Sequence, residues 1–219
     1  MVTSQYVYSR VNQLKTPHSY MYTAYEGPAF FAWYREDRLA RGGALLERGL
    51  AVRDQCSAPE GRRLKTVLTR YRSALSPSVA ARVESCLGAG EDTAPEDGER
   101  TTASLTACLE ALSAASEESR ASLRAQLSRE VTRFEVTKKL VPPDDLGGYA
   151  AFSLALMLFH ERWGSLKFLN AALKANDLLC SQEVLALTPF AALATAMSLD
   201  LEQRAVERLL TDKGIVHGA

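Results

Sequence analysis

Histidine is scarce in this chain: three in 219 residues, His18, His160 and His217. None stands in an HExxH or ExxH spacing, so the helix-borne ligand pairs of zinc proteases and di-iron bundles are missing. The four cysteines, Cys56, Cys86, Cys108 and Cys180, are far apart and form no CxxC pair. They read as free thiols, each a small hydrophobe in a helix, in a reducing, cytoplasmic compartment. No metal and no cofactor is expected. Charge of one sign is also lacking, since 26 Lys and Arg balance 26 Asp and Glu. That denies the chain the overall basic excess of a protein that lives on phosphate, so nucleic acid is a disfavoured partner. There is no GxxxxGK[ST], no GxGxxG after a strand and no GxSxG elbow, and with them go the usual signs of a nucleotide enzyme or a serine hydrolase. The longest apolar run, Ala150 to Phe159, is about half of the ~20 residues that cross a bilayer, so no membrane role is expected. Met1 to Tyr6 lacks the basic and apolar regions of a signal peptide. Alternating β-branched runs and hairpin dipeptides are missing too.

What is present is helical spacing from end to end, at 47 % hydrophobic residues, enough for a sizeable core without a disulfide or metal staple. Leu64, Val67, Leu68, Tyr71 and Leu75 make one continuous stripe. Ser76-Pro77 and Thr188-Pro189 each read as a cap followed by a first-turn proline. Gly27-Pro28 suggests another helix start, and Gly42-Gly43 either a break or a close helix contact. Ser116 reads as the cap of a helix through Leu123, Leu127, Val131 and Phe134, and Asp200 as the cap of a last helix carrying Val206 and Leu210. Tyr149 to Phe159 is apolar all round, which places it at the centre of a core. The fold class is all-α: a compact bundle of about eight or nine helices. An acidic, glycine-rich linker near 88–100 divides an aromatic-rich helical part, 1–90, from a helical core, 101–219, and the two are expected to pack as one domain.

Four groups of residues could carry function. Six of the eight tyrosines fall in the first 34 residues, and the segment Tyr20 to Arg38 holds Tyr22, Tyr25, Trp33, Tyr34, Arg35 and Arg38. Aromatic side chains with polar tips line pockets and anchor interfaces, and they serve equally well as half-buried packing. His160 and Glu161 could form an acid–base pair, helped by Tyr25 or Tyr34 across a cleft, or could simply complement a helix end. Asn170, Lys174 and Asp177 share one helical face, where they could meet a polar ligand or solvent. Arg62, Arg63, Lys65, Arg70 and Arg72 surround the helix at 62–72 and could meet an acidic partner.

The leading expectation is a non-catalytic helical binding protein, taking a protein partner or a small molecule through the N-terminal aromatic segment. A metal-independent enzyme built on His160 and Glu161 is the first alternative, and a nucleic-acid regulator using helix 62–72 the second. The balance leans away from an enzyme, and a homo-oligomer is compatible with the sequence.

Overall fold

The computed structural model describes residues 20–51, 58–87, 112, 116–137 and 146–212. Among these residues it is all-α, with seven α-helices and no strand. They are α1 (Tyr20–Ala51), α2 (Ala58–Tyr71), α3 (Pro77–Leu87), α4 (Arg120–Thr137), α5 (Leu146–Trp163), α6 (Leu166–Ser181) and α7 (Pro189–Asp212). Short 3-10 turns cover Arg72–Ala74 and Val184–Ala186. The acidic stretch at 88–100 and the helix expected around Leu105 and Cys108 lie outside the described residues.

The centre is α5. Every residue from Gly148 to Phe159 is buried, as an all-round apolar helix must be in water. Helices α6 and α7 enclose it, and α4 closes a further side through Phe134, whose ring centroid lies 5.9 Å from Tyr149 and 5.7 Å from Phe152. Helix α1 lies along α7. One continuous apolar cluster runs from Leu45 and Leu46 of α1, through α2 and α3, to Leu201 and Ala205 of α7.

Local chemistry sets the helix ends. Thr188 Oγ1 accepts from the Ala191 amide at 3.2 Å, with Pro189 in the first turn, where its missing N–H costs nothing. Ser165 caps α6 by accepting from Phe168, and the preceding Gly164 turns at φ +66°, a backbone region that suits glycine. Helix α3 begins at Pro77 as expected, yet the Ser76 amide donates to Asp200 Oδ2 at 2.7 Å.

That contact explains one departure from the sequence reading. Asp200 caps no helix; it sits inside the unbroken α7 and ties that helix to the start of α3. Helix α4 likewise starts at Arg120, with Ser119 rather than Ser116 before its first turn and the Ser119 carbonyl accepting from Leu123. Helix α1 passes through Pro28 from a start at Tyr20, so the proline begins nothing, and it passes unbroken through Gly42 and Gly43. Of its three central glycines, Gly49 packs closely: a Cβ there would stand 2.8 Å from Leu193 Cγ on α7. Gly42 and Gly43 have no described atom within 4 Å of a Cβ position.

Candidate functional site

Among the described residues, six polar side chains lie fully inside this apolar interior: Arg38, Ser153, Asn176, Thr195, Ser198 and Glu202. Their placement follows from helical register. Thr195, Ser198 and Glu202 follow one another on α7 at i, i+3 and i+7, one face of that helix. Asn176 of α6, Ser153 of α5 and Arg38 of α1 approach the same face from three sides.

The hydrogen bonds have a consistent polarity. The two serine hydroxyls meet at 2.9 Å, Ser153 donates to Asn176 Oδ1 at 2.6 Å, and Asn176 Nδ2 donates to Glu202 Oε2 at 2.6 Å. With the Ser153 proton directed to Asn176, Ser198 donates to Ser153. On the other carboxylate oxygen, Glu202 accepts from the Tyr34 hydroxyl and from Arg38 Nε, the latter at 3.1 Å. The serine–asparagine chain, the Tyr34 hydroxyl and Arg38 Nε therefore all end on Glu202, and both of its oxygens are satisfied. Arg38 reaches onward with Nη2 to Asp177 Oδ1, which stands at the edge of the interior, and its guanidinium carbon lies 5.2 Å from the Tyr34 ring centroid. Burial, the largest single influence, disfavours the charged guanidinium, but Glu202 together with Tyr34 and Cys180 outweighs it and holds the Arg38 pKa above its ordinary value. Beside this group lies Cys180, whose thiol is pushed up to about 11 by burial despite the nearby Arg38. It is an un-ionised thiol and a poor nucleophile. Thr195 Oγ1 is buried with no hydrogen-bond partner among the described residues.

The sequence candidates are distributed as follows. Tyr34, Arg38 and Asp177 come together in the cluster, although they were chosen as two separate groups. Trp33 and Arg35 point away from it: Trp33 is 42 % exposed, and Arg35 pairs with Glu207 of α7 at 3.8 Å. Tyr22 and Tyr25 lie on α1, and their side chains are outside what is described. Asn170 and Lys174 are half-buried on α6, and Asn170 Oδ1 has no hydrogen-bond partner among the described residues.

His160 and Glu161 are occupied by different neighbours. His160 Nδ1 is 3.1 Å from the Ser165 amide nitrogen and 3.2 Å from its carbonyl oxygen. Burial lowers the ring's pKa, so the neutral imidazole accepts from that amide and closes the α5–α6 turn. Glu161 takes both guanidinium nitrogens of Arg208 on α7, and those hydrogen bonds hold its carboxyl below the usual range. On the basic helix, Arg62, Arg63, Lys65 and Arg70 belong to α2, while Arg72 follows it and pairs with Glu84 of α3 at 2.7 Å.

Glu202, Asn176, Ser153 and Ser198 were not anticipated. Each stands where the apolar stripe of its helix calls for a hydrophobe: Asn176 between Leu173 and Leu179, Glu202 between Leu199 and Ala205. That mismatch was the available signal. No group of three or more His, Cys, Asp or Glu side chains that could hold a metal occurs among the described residues, and no helix among them is long and apolar enough to cross a membrane. Comparison with family models, with curated proteins and with solved structures finds no match for this chain.

Proposed function

We propose that the protein is a non-catalytic helical binding module that receives a protein partner on the outward face of α1. The observation that carries this reading is the two-sidedness of that helix. Tyr34 and Arg38 fix one face to the interior, while Trp33 and Leu39, 42 % and 54 % exposed, stand outside it. A large aromatic and a leucine partly exposed on a helix whose opposite face is tied to the interior supply anchors of large contact area. Between them the exposed positions are Ala32, Glu36 and Ala40, a smooth surface over which another helix or groove can pass. The acid–base alternative has less support, since His160 Nδ1 is engaged at Ser165 and Glu161 is engaged at Arg208.

The test is site-specific photo-crosslinking from position 33 in the cells that produce the chain, with Glu84 on α3 as the control position. A discrete adduct from position 33, absent from position 84 and lost on Leu39→Ser, is the expected result. Adducts of equal pattern from both positions would end the reading. Trp33→Ala and Leu39→Ala should change the unfolding free energy by no more than the small range of surface substitutions, about ±0.5 kcal/mol. A large loss of stability would assign these side chains to the core instead.

A further inference from the structure

Helix α1 is held in two different ways along its length. From Ala32 to Arg41 the buried side chains are Tyr34 and Arg38; the Tyr34 ring is itself buried, and the polar tips of both end on the carboxylate of Glu202. Arg41 adds a hydrogen bond to the Gln182 carbonyl, while its Nε is buried without a hydrogen-bond partner among the described residues. From Leu45 onward the attachment is apolar: Leu45 and Leu46 are in the core, and Gly49 lies against Leu193. Gly42 and Gly43 separate the two parts, inside a continuous helix and with open space where a Cβ would be. Glycine is the least favourable helix-interior residue after proline, and no close contact among the described residues requires it here.

We propose that the part of α1 before Gly42 is a polar latch, which lifts from α6 and α7 about the Gly42–Gly43 pair while Leu45, Leu46 and Gly49 remain packed. The physics of the two attachments differs. Apolar surface resists exposure to water throughout, whereas the donors and acceptors of Arg38, Tyr34, Asn176 and Glu202 exchange each other for water when the segment lifts. A buried ion pair contributes little net stability because its desolvation offsets its attraction. Of the two described stretches, 32–41 and 44–50, the polar-held one therefore has the lower opening free energy. Once free, a helical segment of this length is marginal in water and its amides exchange. Arg38 and Arg41 bond to Asp177 and to the Gln182 carbonyl, on either side of the buried Cys180 in the chain, so lifting of that part also uncovers this thiol. The latch does not depend on the binding role of Trp33 and Leu39.

Hydrogen exchange and site-resolved alkylation by iodoacetamide, both read by mass spectrometry on the full chain in native buffer, test it without any partner. Amides of residues 32–41 should exchange faster than those of 44–50, and Cys180 should be alkylated faster than Cys86, the other cysteine described as buried. Gly42→Ala with Gly43→Ala, two changes at open positions, should slow both the 32–41 exchange and Cys180 labelling by about ten- to thirtyfold and leave Cys86 unchanged. Arg38→Lys keeps the charge but loses the planar fork that joins Glu202 to Asp177, and should speed Cys180 labelling. Equal rates at Cys180 and Cys86 that follow global unfolding would overturn the latch. So would an alanine pair that leaves Cys180 unaffected or shifts both cysteines alike.

Discussion

Arg38 and Glu202 depend on each other more than on anything else nearby. Glu202 has no water to fall back on, and Arg38 is 1 % exposed. Removing one partner of such a pair strands the other as a buried charge, at a cost of about 3–5 kcal/mol. Glu202→Ala is accordingly expected to fall in that range by chemical denaturation. Arg38→Met combined with Glu202→Ala should cost at least about 1 kcal/mol less than the sum of the two single changes, because the second removes the charge that the first left unpaired. Additive single effects would mean that Asp177 and Tyr34 satisfy Arg38 without Glu202. At this scale the sequence was half legible. Tyr34, Arg38 and Asp177 could be singled out because aromatic and charged side chains at helical spacing attract notice. Glu202 and Asn176 are single polar residues inside apolar stripes, and such positions are read as stripe or as solvent according to their neighbours. Only the packing of α1, α5, α6 and α7 shows that the two exceptions meet.

The helices themselves were more legible than their joins. The stripes of α2 and α4 and the proline starts of α3 and α7 follow from local chemistry, and the structure has them. Pro28 and Asp200 misled because a start signal is local while helix continuation depends on what the rest of the helix buries. The glycines of α1 divide on tertiary grounds that no sequence spacing carries. Gly49→Ala would press a methyl into Leu193, itself 1 % exposed. Overpacking costs about 1–3 kcal/mol, and the gain in helix propensity of about 1 kcal/mol does not offset most of that range. Gly42→Ala meets open space and keeps the propensity gain. The expected outcome is opposite signs, with Gly49→Ala lowering the thermal midpoint and Gly42→Ala raising it. A rise for both would mean that there is room for a methyl between Gly49 and Leu193.

For the molecule as a whole, one apolar cluster joins the helices of both parts of the chain, so its core should unfold as a unit. The pH at which it does so has a readable contribution from the α5–α6 turn. The His160 pKa is lowered in the folded state, first by burial and further by Arg208, with Glu161 and the Ser165 hydrogen bond acting the other way. A depressed folded pKa means that the unfolded chain binds the proton first. The contribution of His160 is therefore complete above its ordinary value near 6.5 and is lost as pH falls from there through the folded value. Glu161 is depressed too, first by its hydrogen bonds from Arg208, so its part is intact above the ordinary carboxylate range and is lost only below it. The two losses begin at different pH, near 6.5 for His160 and in the carboxylate range for Glu161, which lets one substitution separate them. Gln can accept from the Ser165 amide as the neutral imidazole does, but it cannot take up a proton. Denaturation of His160→Gln and of the parent chain between pH 7.5 and 5 should then show a stability difference that moves in favour of the variant as the solution is acidified. A difference independent of pH would mean that the ring at the end of α5 is as easily protonated in the folded protein as in the open chain, and that the turn is closed without it.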